Sequence, residues 1–162
     1  RVWLFTDLRN WEDITTINAD GKRVLTEQVY KDTQAIIDAR DRLGMEVDAV
    51  MVDFHILNGI SMEGTTVVGE HPEFFTNQGL SEFNEVFEPW YAEFAGKFDY
   101  VETMNEPENT APGAGANVFF NPNVWNLLST GSDLIKANGG QATTGAAKQG
   151  EAYKYRNMDF QC

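Results

Sequence analysis

Apolar and polar positions alternate along the chain with two different periods. Four short apolar runs have the composition of buried strands, at residues 1–5, 47–54, 98–104 and 141–147. In three longer stretches apolar residues recur every three or four positions, as on one face of a helix, at residues 26–43, 77–96 and 123–138. Strands that alternate with helices indicate βαβ units, so the sequence predicts an α/β fold with a parallel sheet.

Local signals predict where the first two helices begin and end. Thr26 and Asn77 are suited to cap their N-termini, and Gly44 and Gly96 are suited to end them. Pro89 falls within the second helix, where its missing N–H predicts a kink or a local break. The apolar face of the first helix should consist of Val29, Ile36, Ile37 and Leu43.

The spacing of the strands favours a barrel. Successive strands start roughly 40 to 50 residues apart, which suits a (β/α)8 barrel with long loops, and such a barrel takes about 250 residues. Because the chain opens and stops close to strands, we expect an internal segment of a longer protein. Residues 1–162 would then form a single segment, a partial (β/α)8 barrel holding about half of one catalytic domain. A doubly wound open sheet is the alternative, and the lack of a glycine-rich phosphate loop after a strand disfavours it.

The charge balance narrows the range of partners. The chain has 12 Lys and Arg against 25 Asp and Glu, a formal net charge of −13. Because this charge repels phosphates, we expect no nucleic-acid partner and no anionic membrane surface. No apolar run reaches the roughly 18 residues of a membrane span. The single cysteine, Cys162, excludes an intrachain disulfide and a multi-cysteine metal site.

Polar and aromatic side chains follow the predicted strands. In parallel α/β folds the active groups lie at the C-terminal ends of the strands. The residues at these positions are Asp7, Arg9, Trp11, His55, Asn58, Asn105, Glu106, Lys148 and Gln149. Sugar sites use such groups, because hydroxyls are hydrogen-bonded, pyranose faces are stacked on rings and a carboxylic acid donates a proton.

Glu106 is the sharpest candidate among these residues. It follows the third predicted strand directly, and Pro107, which has no N–H, must end the strand ladder there. The carboxyl is thereby presented at the mouth of the barrel. Asn105 beside it offers a donor and an acceptor for a sugar hydroxyl.

These motifs resemble the clan A glycoside hydrolases, most closely family 5. Residues 100–108, YVETMNEPE, resemble the family's fourth strand, in which Asn-Glu-Pro carries the general acid/base. Residues 71–98 are similar to its third helix, residues 1–4 (RVWL) to its arginine-bearing strand, and residues 52–55 (VDFH) to its third strand. The resemblance covers about strands 2 to 5 of the family's barrel.

The resemblance implies a retaining glycoside hydrolase that acts on β-linked polysaccharide or oligosaccharide, with β-mannan or β-glucan favoured. Glu106 would be the general acid/base and Asn105 would bind the 2-hydroxyl of the sugar. His55, Arg1 and Trp11 would position the substrate. The family's nucleophile lies on its seventh strand, which places it outside this chain.

The same resemblance implies the surroundings of the reaction. No metal and no organic cofactor is expected. The partners would be a carbohydrate substrate and the rest of the barrel, from the same polypeptide or from another chain. The size of a polysaccharide implies an extracellular or cell-surface location.

Other interpretations of these residues remain open. His55 could be a structural histidine, Arg1 could pair with Glu102 inside the barrel, and Trp11 could belong to the core. A carbohydrate-binding or structural surface protein on a hydrolase-like barrel is the alternative function, because a fold does not fix a function. A barrel enzyme of another chemistry is a third, weaker option.

Overall fold

The computed structural model describes residues 1–5, 11–53, 59–60, 67–68, 77–105 and 122–145. The strands are β1 (Val2–Trp3), β2 (Thr15–Ile17), β3 (Arg23–Leu25), β4 (Asp48–Asp53), β5 (Gly59–Ile60), β6 (Val67–Val68), β7 (Tyr100–Asn105) and β8 (Ala142–Gly145). The α-helices are α1 (Trp11–Ile14), α2 (Glu27–Leu43), α3 (Asn77–Phe94) and α4 (Pro122–Ala137). A 3₁₀ turn, Ala95–Lys97, follows α3.

The main sheet has four strands, and their order follows the chain. β1, β4, β7 and β8 are neighbours in that order, and all three pairings are parallel. Each connection therefore moves one strand further in the same direction, as around a barrel. A doubly wound sheet reverses its strand order at a switch point, and the four described strands contain no such reversal. The predicted partial (β/α)8 barrel is confirmed.

The ends of α2 show how the sequence sets a helix. Gly44 adopts the left-handed conformation, with φ 63°, and its N–H donates to the carbonyl of Arg40. Glycine takes this conformation without strain, so the predicted stop is confirmed. Thr26 precedes the helix in an extended conformation, but its side chain makes no capping hydrogen bond, so the predicted cap is wrong in that detail.

The helix α3 runs through Pro89 without interruption. Pro89 lies on the exposed side of the helix, and the predicted local break is therefore absent. The opposite side of α3 is buried and carries large aromatic residues. One proline costs a helix a single hydrogen bond and some steric strain, and the burial of this aromatic face outweighs that cost.

An aromatic cluster joins the sheet and the helices. Phe5, at the end of the first predicted strand, packs against Phe87 with ring centroids 5.1 Å apart and against the edge of Trp90. Trp90 is fully buried, and its Nε1 donates to Oγ1 of Thr33 on α2 at 3.1 Å. The buried ring thereby finds a partner for its N–H, and α2 and α3 are held on the same side of the sheet.

Between β1 and α2 the chain forms an antiparallel hairpin, which the apolar pattern of the sequence did not predict. β2 and β3 pair from Thr15 with Leu25 to Ile17 with Arg23. The turn has Gly21 at φ 76°, and Oδ1 of Asn18 accepts hydrogen bonds from the N–H groups of Asp20 and Lys22.

In the described part of the chain, no helix has both the length and the apolar character to cross a membrane.

Candidate active site

The C-terminal end of β7 is the centre of the candidate site. β7 lies between β4 and β8, and Asn105 at its end pairs in register with Asp53 and Gly145. The ends of three parallel strands thus meet at Asn105, whose side chain is nearly buried. The next residue in the sequence is Glu106, so the strand leads directly to the proposed acid.

Arg1 contacts three polar side chains of the strands β4 and β7. Its Nη2 pairs with the carboxylate of the fully buried Glu102 and lies 3.1 Å from Oδ1 of Asn105. Its Nε lies 3.4 Å from Oδ2 of Asp48, and the guanidinium group stands 5.2 Å above the ring of Trp3. The pairing of Arg1 with Glu102 is the alternative foreseen in the sequence. The additional contact with Asn105 also brings Arg1 to the candidate site.

The contact between Arg1 and Glu102 fits a barrel interior. Arg1 directly precedes β1, whereas Glu102 lies on β7, and β4 runs between these two strands. In (β/α)8 barrels the inward side chains of alternate strands form shared layers. A charged side chain in such a layer needs a partner of opposite charge, because it loses its hydrating water there.

The pairing of β7 with β8 changes register between Glu102 and Asn105, whereas the pairing of β7 with β4 keeps one register throughout. Glu102 pairs with Thr143 and Asn105 with Gly145, so three steps along β7 match two steps along β8. Residues three apart on a regular strand point to opposite faces, whereas an extra residue re-aims the side chains that follow. The side chains of Glu102 and Asn105 both reach one guanidinium group, that of Arg1.

Asp48, which was not among the predicted site residues, is a charged neighbour of Arg1. Burial raises the pKa of its carboxyl, and the positive charge of Arg1 opposes that rise without cancelling it. Its Oδ1 has no hydrogen-bond partner in the described part of the chain. Its position at the start of a predicted strand was the available signal, since an acid there faces either water or a cation.

Trp11 lies in the core. Its side chain is 6% exposed, and its ring stacks on Phe83 at 6.2 Å between centroids, with Phe87 at 6.0 Å. A sugar needs an open ring face, which this packing does not leave. We therefore assign Trp11 to the core, the alternative left open above, and withdraw it from the substrate-binding set.

The remaining predicted site residues lie outside the described part of the chain. These are Asp7, Arg9, His55, Asn58, Glu106, Lys148 and Gln149. The structure thus brings together Arg1 and Asn105, and the roles of His55 and Glu106 stay predictions. Among the described residues, no group of three or more His, Cys, Asp and Glu side chains is arranged to hold a metal ion.

Comparison with known proteins supports the fold. No protein-family model matches the chain, and no curated protein matches it. A solved structure that is similar is the β-1,4-mannanase from the common sea hare Aplysia kurodai, with a TM-score of 0.65 and 16% sequence identity. The match covers 98% of this chain and 50% of the mannanase, so the chain spans half the length of that protein. At this identity the likeness shows the fold alone, which is a partial (β/α)8 barrel like that of a glycosidase.

Proposed function

We propose that this chain is part of a retaining glycoside hydrolase that acts on β-linked polysaccharide or oligosaccharide. β-Mannan and β-glucan are the favoured substrates, and the fold likeness to a β-1,4-mannanase makes β-mannan the first to assay. One observation carries the proposal. Asn105 ends the central strand β7 with its amide bound to Arg1, and Glu106 and Pro107 follow it in the sequence.

In the proposed mechanism Glu106 acts twice. In the first step its carboxylic acid protonates the glycosidic oxygen as that oxygen leaves, while a carboxylate outside residues 1–162 attacks the anomeric carbon. In the second step Glu106, now ionised, takes a proton from the water that hydrolyses the glycosyl-enzyme bond. The two carboxyl groups of a retaining enzyme stand about 5–5.5 Å apart, so the nucleophile belongs on the facing side of the complete barrel.

The other residues hold the sugar in this scheme. Asn105 hydrogen-bonds the 2-hydroxyl, and His55 and Arg1 complete the binding site. The reaction needs no metal and no organic cofactor. A polymeric substrate implies a location outside the cell or at its surface.

The test is the variant Glu106→Gln in the full-length protein. Glutamine has nearly the same shape but cannot protonate a leaving group. We expect hydrolysis of β-mannan to fall by about 10²- to 10⁴-fold. An aryl glycoside with a good leaving group should lose much less in the first step, because that group departs without a proton.

Glu108→Gln is the matched control, because it removes a carboxylate two residues away to which no chemistry is assigned. It should retain activity on both substrates. Equal losses on the two substrates in Glu106→Gln would contradict the acid role. If the unaltered protein binds β-mannan without hydrolysing it, the carbohydrate-binding alternative is the better account.

A further inference from the structure

Arg1 forms a bridge between the carboxylate of Glu102 and the amide of Asn105. Glu102 is 0% exposed and Asn105 is 4% exposed, so both acceptors are shielded from water. One guanidinium nitrogen, Nη2, serves both of them. Charge-assisted hydrogen bonds of this kind are the strong ones, and they restrict the geometry of the groups that they join. We call these three residues the Arg1 bridge.

The chemistry of the guanidinium group fixes the orientation of the Asn105 amide. An arginine side chain carries five N–H donors and no acceptor. It can therefore bind the carbonyl oxygen of Asn105 but not its amino group, and the flipped amide would set two donors against each other. With Oδ1 bound to Arg1 at 3.1 Å, the amino group Nδ2 faces away from Arg1.

We propose that Glu102 is a positioning residue for the glycosidase reaction. Through Arg1 it fixes the Asn105 amide so that Asn105 meets the sugar as a hydrogen-bond donor. The ligand group in that position is then a hydroxyl oxygen acting as an acceptor. This inference rests on the proposed function, because it assigns the substrate contact of the same site.

Glu102 is needed for this role because Arg1 is long and partly exposed. Its side chain is 36% exposed, whereas that of Glu102 is 0% exposed. An arginine that reaches in from the start of β1 has many rotamers, and a buried carboxylate selects the one that reaches Asn105.

A purely structural role for the ion pair makes a different prediction. A buried carboxylate can serve the fold alone, and its loss then lowers stability without regard to the substrate. If Glu102 acts through Asn105, substitutions of the two residues remove the same interaction, and their effects on the rate do not multiply. A double-mutant cycle on kinetic constants therefore separates the two roles.

The experiment uses the full-length protein with Glu102→Gln, Asn105→Ala and the double variant. The substrates are an aryl β-glycoside and its 2-deoxy counterpart, with kcat and KM measured for each. We expect Glu102→Gln to lower kcat on the 2-hydroxyl substrate by about 10- to 100-fold, because a misplaced contact costs rates of this order. In the Asn105→Ala background, and on the 2-deoxy substrate, Glu102→Gln should lower kcat by less than about threefold.

Glu12→Gln is the matched control. It also removes a carboxylate partner from an arginine, Arg23, at 3.0 Å, but on the exposed surface of α1 and the hairpin. It should leave both kinetic constants unchanged. Two results would overturn the positioning role of Glu102. One is a loss of kcat in the double variant equal to the product of the losses in the two single variants. The other is an equal loss of kcat on the 2-hydroxyl and 2-deoxy substrates in Glu102→Gln.

A second variant keeps the inference testable if Glu102→Gln does not fold. Arg1→Lys retains a positive charge opposite Glu102 but lacks the planar fork that serves two acceptors. Because Arg1 also belongs to the proposed binding site, both substrates should be affected, but kcat should fall further on the 2-hydroxyl substrate than on the 2-deoxy one; equal losses on both would overturn the bridge. If Asn105→Ala and Glu106→Gln both leave hydrolysis intact, the proposed function itself fails. Failure of the positioning role alone looks different, because hydrolysis is then lost in both variants while the kcat losses of Glu102→Gln and Asn105→Ala multiply.

Discussion

At Asp48 burial and ion pairing act in opposite directions. One carboxylate oxygen lies 3.4 Å from Nε of Arg1. Burial nevertheless raises the pKa of the carboxyl above its ordinary value of 3.8. The folded protein therefore binds this proton more tightly than the unfolded chain does. It follows that the stability contributed by Asp48 is fully present below the unfolded pKa and is lost as the pH rises through the folded pKa.

Asp48→Asn should remove this pH dependence. The free energy of unfolding of the variant minus that of the parent should increase as the pH rises from about 3 to 7, because only the parent loses the contribution of Asp48. Arg1 keeps Glu102 as its partner in the variant, so its charge stays compensated. The measurement is a series of urea unfolding curves across this pH range. Asp38→Asn, on the exposed side of α2, controls for the loss of one negative charge from an acidic chain.

The candidate site was predictable from the sequence only where local rules act. The presence of Pro107 in the sequence predicts a strand end just before it, and β7 does end at Asn105. The partner of Arg1 was foreseen as an alternative. The contact between Arg1 and Asn105 could not be foreseen, because it joins residues 104 positions apart that only the tertiary fold brings together. The burial of Trp11 depends equally on the packing of α3.

At the scale of elements, Gly131 sets how closely α4 approaches β7. A Cβ atom at this position would lie 2.5 Å from Cγ2 and 2.7 Å from Oγ1 of Thr103. Thr103 lies on β7 two residues before Asn105 and is almost fully buried. The missing side chain of Gly131 therefore lets the helix rest on the strand that carries the candidate site.

Gly131→Ala should destabilise the protein despite the better helix propensity of alanine. Overpacking of this kind costs about 1–3 kcal/mol, while the exchange of glycine for alanine in a helix returns about 1 kcal/mol. The difference is a net loss of up to about 2 kcal/mol in the free energy of unfolding, measured in urea. The added substitution Thr103→Ala removes the two nearest atoms and should restore most of the loss. Asn126→Ala, at an exposed position of the same helix, is the control for helix propensity. A Gly131→Ala variant that is more stable than the parent would contradict the close packing of α4 on β7.

The regular elements followed from the sequence, and the exceptions have identifiable causes. The periodicity of apolar residues predicted the three long helices and the four parallel strands, because each helix buries one face and each strand is apolar along its length. The hairpin β2–β3 escaped prediction because three-residue strands leave too short a pattern to count. Leu43, expected on the buried face of α2, is 62% exposed, since it lies in the last turn before Gly44. Burial there depends on the neighbouring elements and not on the helical period.

At the scale of the whole molecule, the sheet is built to be enclosed. The four residues 49–52 of β4 are at most 1% exposed, so both faces of this strand are covered, as in parallel sheets generally. Among the described strands, β1 pairs with β4 and β8 pairs with β7, at the two outer positions of the sheet. We propose that further strands, from the same polypeptide or from another chain, pair at these outer positions and complete the barrel.

Residues 1–162 expressed alone should therefore differ from the full-length protein in two ways. Unpaired strand edges template association, so we expect oligomers or aggregates in size-exclusion chromatography. The net charge of −13 opposes association, so the comparison belongs at about 0.15 M salt, where the screening length is about 8 Å. The separate segment should also fail to hydrolyse β-mannan, because one carboxylate cannot both donate the proton and attack the anomeric carbon. Full-length Glu106→Gln serves as the control, since it should be inactive on β-mannan yet elute like the parent. A segment of 162 residues that is monomeric and active would contradict both the proposed completion of the sheet by further strands and the proposed nucleophile outside residues 1–162.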